Sequence, residues 1–256
     1  QLKLYYQPIT DAEHTNILGY EALMRWHHPV KGLIMPNDFI PIAEETGLIH
    51  MLGAYALYEA CREAVSWAGE QTISVNLSPM DFHNPELPVL IGAELARHGL
   101  AARDLVVEMT EGILLDGDPN TQATLQRVHA LGIRLAMDDF GTGYSSLAYL
   151  RRLPISELKL DKSFIDDLER DASSRALSKA ILTICESLDL RVVAEGIEGE
   201  QQCEILRRQG YHAGQGYLFS RPLTPDAFAD WLRAHEVGQG GVAPACAAGP
   251  DPEDGG

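Results

Sequence analysis

The chain is 256 residues long, 45% hydrophobic, and carries a formal charge of -17. That length holds one large domain with a sizeable core or two small ones, and the acidity argues against a surface for DNA or RNA polymers. A small phosphate ester suits such a chain where bound divalent cations invert the local field.

No run approaches the roughly 18 consecutive apolar residues of a membrane span, so no transmembrane helix is predicted. The chain opens on Gln1 rather than Met, with strand-like sequence at once and no leader, which reads as a piece cut from a longer protein. The cysteines Cys61, Cys185, Cys203 and Cys246 are far apart and form no C-x-x-C pair. Zinc clusters and disulfide frameworks are disfavoured, and a reducing cytoplasm fits.

In chain order, strands are predicted near Lys3–Pro8 and Tyr20–Trp26. The polar stretch Asp11–Gly19 between them is too short for a full helix and reads as a hairpin, making one early strand antiparallel. Asn37 is placed as the cap of a helical segment through Glu45, ended by Gly47. Helical spacing then covers Met51–Gly69, with Met51, Leu57, Cys61 and Val65 read as a buried stripe. Strands Ile73–Leu77, Leu105–Met109, Arg134–Asp138, Glu157–Asp161, Arg191–Glu195 and His212–Phe219 follow. Helices Pro88–His98, Pro119–Leu131, Ser173–Leu188 and Glu200–Gln209 separate most of them, Gly132 closes the second of these, and Asp226–His235 comes after the last strand. This alternation predicts an α/β fold with a mainly parallel sheet, and eight such strands match a closed (β/α)8 barrel in size, with a doubly wound open sheet as the competing architecture. The domain is assigned to residues 1–237. The Gly-, Pro- and Ala-rich 238–256 reads as a disordered tail.

Polar residues recur near strand ends: Glu21 in EALMRW, Asn76 in SVNLS, Glu108 in LVVEMTE, Asp138 and Asp139 closing RLAMDD, Lys159 and Asp161 in ELKLD, Glu195 ending RVVAE, and Gln215 in AGQGYLF. Any one of them alone is an ordinary turn, cap or surface residue. Together, in a barrel, they converge on one rim, where so many charges are unfavourable unless cations compensate them. Carboxylate and amide oxygens without a matching His or Cys set suit a hard ion such as Mg²⁺ or Mn²⁺. Two adjacent aspartates can serve two ions, which suits metal-assisted phosphoryl transfer. His27 and His28 face opposite ways on a strand and are read as packing or rim groups. Trp26 is read as packing, and Cys61 and Cys185 as small buried hydrophobes.

At these residues the sequence resembles the EAL domain family of cyclic-di-GMP phosphodiesterases, from about Leu4 to Pro222. The resemblance is carried by Tyr5–Ile9 (YYQPI), Glu21–Trp26 (EALMRW), Asn76–Ser78 (NLS), Glu108–Glu111 (EMTE), Asp138–Leu147 (DDFGTGYSSL), Lys159–Asp161 (KLD), Ala194–Glu198 (AEGIE) and Gln215–Pro222 (QGYLFSRP). It implies a TIM-like barrel with one antiparallel strand and a site for two ions, Mg²⁺ or Mn²⁺. Glu21, Asn76, Glu108 and Asp138 would hold one ion. Asp138 would bridge to the second, with Asp139 helping to hold it and Glu195 orienting water there. Lys159 would contact the attacking water, with Lys159, Glu195 and Glu21 as the catalytic set. Leu23, Arg25, Gln215 and Pro222 would meet the substrate. Glu111 would anchor a regulatory loop containing Gly141 and Gly143.

The implied reaction is hydrolysis of cyclic-di-GMP to linear 5′-pGpG without a covalent intermediate; the alternative is a catalytically silent cyclic-di-GMP receptor. Implied partners are a second copy in a homodimer and the sensor or regulatory domains of a longer, cytoplasmic or membrane-anchored parent. The sequence departs from many relatives at Tyr211 and His212, where an Asp often precedes the QGY motif, and at Arg221, where Lys is common.

Overall fold

A computed structural model of the chain describes residues 1–237 apart from 12, 14–15, 68–70, 116–117, 142–149 and 152. The tail assigned to 238–256, the end of the predicted helix at Gly69, and Gly143 therefore lie outside the described residues.

Nine strands form one sheet: β1 (Leu2–Asp11), β2 (Ile17–His28), β3 (Gly32–Ile34), β4 (Thr72–Asn76), β5 (Leu105–Thr110), β6 (Arg134–Phe140), β7 (Glu157–Leu160), β8 (Arg191–Ala194) and β9 (Ala213–Gly214). β4 to β9 run parallel to β2 in sequence order, and β1 joins the two ends by pairing antiparallel with both β2 and β9. The result is a closed eight-strand barrel, with β3 hanging on β2 as an extra strand. Closure through β1 excludes the open doubly wound sheet, and the hairpin expected between β1 and β2 is present.

The helices are α1 (Pro36–Thr46), α2 (Ile49–Ala64), α3 (Leu87–His98), α4 (Gly112–Leu115), α5 (Pro119–Ala130), α6 (Ala172–Ser187), α7 (Glu200–Gln209) and α8 (Pro225–Val237). None of the described helices is long and apolar enough to cross a membrane. Leu57, Ile73, Val75, Leu105, Val107, Leu125, Leu135 and Leu158 are among the residues that fill one continuous core. Cys61 and Cys185 are buried in it, as the sequence suggested.

Several local expectations need correction. Asn37 does not cap α1: Met35 holds that position without a side-chain bond, and Pro36 starts the helix. Proline needs no N–H donor in a first turn, and its fixed φ starts the helix without a cap. Gly47 does end α1, in the left-handed conformation. Met51 and Val65 are 69% and 47% exposed, whereas Leu57 and Cys61 are fully buried. The buried face of α2 runs Ile49, Gly53, Ala56, Leu57, Ala60, Cys61, Ala64. Met51 lies two residues, about 200°, from Ile49, and Val65 falls at the helix end. The strand predicted over His212–Phe219 shrinks to Ala213–Gly214. Beyond it the chain turns, because Gly216 sits so close to the backbone of Ile197 that a Cβ there would collide with it. The bonds Ile197 N–H to Gln215 O (3.1 Å) and Leu218 N–H to Ile197 O (2.9 Å) hold that approach.

Gly216→Ala should cost at least about 2 kcal/mol, because backbone rather than a flexible side chain must give way. Gly92→Ala, in α3 with open space around the new methyl, should gain about 0.5–1 kcal/mol. Urea denaturation midpoints of the two variants check this contrast in sign.

Candidate active site

β2 outlasts its neighbour β4: Glu21 pairs with Ser74 and Ala22 with Val75, one residue before β4 ends at Asn76. Leu23–His28 therefore continues above the barrel rim, held by Leu2–Tyr5 of β1 on one side and by β3 on the other. Because successive strand residues alternate faces, Glu21, Leu23 and Arg25 rise in a line on one face. Opposite them in register on β1 stand Gln7, Tyr5 and Lys3.

Lys159 of β7 is the buried centre of the site. Its Nζ lies 2.9 Å from Glu21 Oε2, 2.8 Å from Glu108 Oε2, 2.7 Å from Glu195 Oε1 and 3.4 Å from Asp138 Oδ1. Glu108 neighbours Asn76 across the β4–β5 pair. Asn76 Nδ2 donates to Glu21 Oε1 at 2.6 Å, and Gln215 Nε2 donates to Glu21 Oε2 at 2.7 Å. The β6–β7 register shifts between Met137 and Phe140, and Asp139 takes a positive φ of 53°. A bulge re-aims side chains, and here it sends two adjacent aspartates, which a regular strand would oppose, toward one place.

The carboxylates form two groups of closely spaced oxygens, Glu21–Glu108–Asp138 and Asp138–Asp139–Glu195, with Asp138 in both. Burial raises the pKa of most of them. Desolvation, with the charges of Glu21 and Asp138 nearby, pushes Glu108 well above the ordinary carboxylate range even against Lys159. Desolvation also raises Glu195 well above that range and raises Asp138. Asp139 is pushed up to about 6 by desolvation and by Asp138 and Asp161. Glu21 runs the other way: its desolvation is outweighed by Lys159 and by the bonds from Gln215 and Asn76. Burial disfavours the Lys159 charge, but the surrounding carboxylates outweigh it and hold the ammonium well above its usual pKa.

Five carboxylates thus face one ammonium. Glu108 Oε1 and Asp138 Oδ1 are buried without a hydrogen bond, although Asp138 Oδ1 stays within ion-pair range of Lys159. Buried acceptors left without donors, all of them hard oxygens, fit divalent cations. A cavity of about 320 Å³ opens over them, lined by Gln7, Glu21, Leu23, Asp138, Asp161, Lys162, Glu195, Gly196, Glu198, Gln215, Gly216 and Tyr217.

The structure thus brings together Glu21, Asn76, Glu108, Asp138, Asp139, Lys159, Glu195 and Gln215, with Leu23 in the cavity wall. Arg25 and Pro222 are not among the lining residues. Arg25 donates to the Met24 carbonyl at 2.9 Å and lies 5.9 Å from the Tyr5 ring centroid. Glu111 is buried, and its Oε1 accepts from Gly141 N–H at 2.7 Å. Trp26 packs edge-on against Phe39. His27 contacts Tyr5 OH at 3.2 Å, while His28 Nδ1 accepts from Val30 and Lys31 N–H in the following turn. Gln7, Lys162, Glu198 and Tyr217 also line the cavity, outside the site residues the sequence nominates. Each lies inside or beside a quoted motif, and Lys162 is bonded to Glu198 across the rim.

A barrel whose rim gathers oxygen ligands belongs to the class in which strand ends build the active site. The family is specific: residues 1–222 match the EAL domain, and the chain belongs to that family. It is 43% identical over 230 residues to the bifunctional diguanylate cyclase/cyclic di-GMP phosphodiesterase MucR of Pseudomonas aeruginosa, covering 88% of this chain and 34% of MucR. The solved MucR phosphodiesterase in complex with c-di-GMP superposes with a TM-score of 0.84 at 41% identity, covering 89% of this chain and 94% of that one. A manganese and cyclic-di-GMP complex of Klebsiella pneumoniae BlrP1 superposes with a TM-score of 0.77 at 28% identity, covering 88% and 56%. The chain spans about a third or less of the length of the first curated relatives it matches.

The carboxylate shifts carry a sign. A carboxyl whose folded pKa is raised binds more protons folded than unfolded, so its stabilisation is full below the ordinary value and is lost as pH rises through the folded value. Glu108, Asp138, Glu195 and Asp139 act in this direction; for Asp139 the window closes at about 6. Glu21 opposes them, with stabilisation present above the ordinary value and lost on acidification. Without divalent cation the cluster should therefore destabilise the fold increasingly as pH rises from the ordinary carboxylate range, about 4, through the Asp139 value of about 6. Millimolar Mn²⁺ should raise Tm more at the higher pH, and thermal melts with and without chelator test this.

Proposed function

We propose that this chain hydrolyses cyclic-di-GMP to linear 5′-pGpG with two divalent ions, Mg²⁺ or Mn²⁺. The observation that carries the reading is the pair of carboxylate groups sharing Asp138 around the buried Lys159. Glu21, Asn76, Glu108 and Asp138 would hold one ion, and Asp138, Asp139 and Glu195 the other. When bound, such ions supply positive charge that polarises water and offsets charge growing on the phosphate.

The protein's own groups account for the remaining work. Lys159, kept cationic by its neighbours, holds the attacking water and fixes the carboxylates in register. Glu195, 2.7 Å from Lys159, is a carboxylate once divalent charge offsets its burial, and in that form it orients the water and accepts its proton as the water oxygen bonds to phosphorus. The bond from phosphorus to the ribose 3′ oxygen breaks, and that oxygen takes a proton from solvent. The phosphate stays on the 5′ side, which yields pGpG. Leu23, Gln215, Arg25 and Pro222 bound the nucleotide, with Arg25 meeting a substrate phosphate.

Glu111, just past the end of β5, accepts from the N–H of Gly141, two residues after Asp139. Gly141 has a φ of 102°, and a Cβ there would collide with Phe164. We assign the loop that begins at Gly141 a regulatory role, with dimerisation and the sensor domains of a longer parent acting through it. Cys61 and Cys185 are buried free thiols, which suits a reducing cytoplasm.

The purified chain incubated with cyclic-di-GMP and Mg²⁺ or Mn²⁺ should yield pGpG by chromatography. Chelator should abolish the product, and Glu21→Ala should lower turnover by at least about a hundredfold, some 2.7 kcal/mol. Tight nucleotide binding without product in the wild type would instead make the chain a receptor. Glu111→Ala should reduce Mn²⁺ affinity and turnover together by about tenfold, 1.4 kcal/mol, while its circular dichroism spectrum stays native. Unchanged calorimetric Mn²⁺ affinity would remove Glu111 from this role.

A further inference from the structure

We propose that Gln7 is a positioning residue that sets the polarity of the amide chain holding Glu21 and joins the metal side of the site to its nucleotide wall. The inference rests on the phosphodiesterase reading only in giving the two ends of that chain their tasks.

Gln7 Nε2 donates to the Ser220 carbonyl at 2.9 Å. A backbone carbonyl only accepts, so the NH2 of Gln7 must point to Ser220 and its Oε1 must point inward. Gln215 Nε2 then donates to that Oε1 at 3.0 Å and to Glu21 Oε2 at 2.7 Å, using both of its hydrogens. If the Gln215 amide were reversed, its oxygen would face two acceptors at once. In the observed sense its own Oε1 is the atom left buried without a hydrogen bond. Gln7, Glu21 and Gln215 are all at least nine-tenths buried, so water cannot repair a reversed amide cheaply.

The segment at the far end is anchored as well. Tyr6 N–H donates to Leu223 O at 2.8 Å and Leu223 N–H to Tyr6 O at 2.9 Å, so 220–223 lies pinned on β1. That segment carries Arg221, stacked over Tyr217 at 4.5 Å from its ring centroid, and Tyr217 lines the cavity. Gln7 is therefore a side chain bonded at once to the nucleotide wall and to the amide that orients Glu21, with which it shares a cross-strand register position.

Gln7→Met keeps length and volume and removes both bonds. Gln7→Glu keeps the acceptor toward Gln215 but puts an oxygen against the Ser220 carbonyl. Calorimetric Mn²⁺ titration, which needs no turnover, should show affinity about tenfold weaker in Gln7→Met. In Gln7→Glu, Mn²⁺ affinity should be retained while the KM for cyclic-di-GMP rises about tenfold.

If Gln7 acts through Gln215, the Gln7→Met/Gln215→Met double variant should bind Mn²⁺ no more weakly than Gln215→Met alone. Wild-type affinity in Gln7→Met, or additive losses in the double variant, overturns the proposal, as does a Gln7→Glu variant that loses metal affinity and keeps its KM. These outcomes leave the phosphodiesterase reading standing. A wild-type chain that binds no Mn²⁺ overturns both. Should Gln7→Met fail to fold, the split measured on Gln7→Glu decides.

Discussion

One ammonium surrounded by carboxylates organises this barrel's mouth. Lys159 reaches acidic groups from β2, β5, β6 and the end of β8. A charge with no exposed surface is tolerable only when paired and bonded on all sides, and removal of the lysine would leave a cluster of buried like charges. The pairing is incomplete from the carboxylates' side, since burial raises the pKa of several of them even beside the ammonium. A site built this way is strained electrostatically when it contains only protein, and the strain is relieved by whatever positive charge enters it.

That constraint explains the surrounding backbone. The bulge in β6 exists where two consecutive aspartates must face one place, and the left-handed conformation of Asp139 is the local cost. Gly216 is there because the chain after β9 must lie against the Ile197 backbone to bring Gln215 under Glu21. The long β2 supplies a carboxylate of the cluster, Glu21, low on its length and a wall above it. β1 closes the barrel and, through Gln7, reaches the same cluster from the other side.

Much of this was legible in the chain. Alternation of strand and helix predicted an α/β fold with a mainly parallel sheet, and the short polar link between the first two strands predicted that one early strand runs antiparallel. The strand-end residues converge because parallel strands in a closed sheet have all their C-terminal ends on one rim. EALMRW, DDFGTG and KLD carried the family by their order. The misreadings share a cause. Met51 and Val65 have apolar side chains, but which arc of α2 faces the sheet is set by Ile49, Gly53 and Ala56 and by where the helix stops. The apolar run after His212 has strand composition, yet Gly216 lets the backbone turn against Ile197 before a strand can extend.

By itself, then, the sequence determined the α/β class and which strand-end oxygens could be ligands, because these follow from periodicity and residue chemistry, which are local in the chain, while the family rested on the resemblance of its ordered motifs. The tertiary structure decided which of those groups share one charge, how their proton affinities are divided, and that Gln7 belongs with them. Those properties depend on distances of a few ångströms between residues as far apart in sequence as Gln7 and Gln215, and on a burial that no stretch of sequence contains.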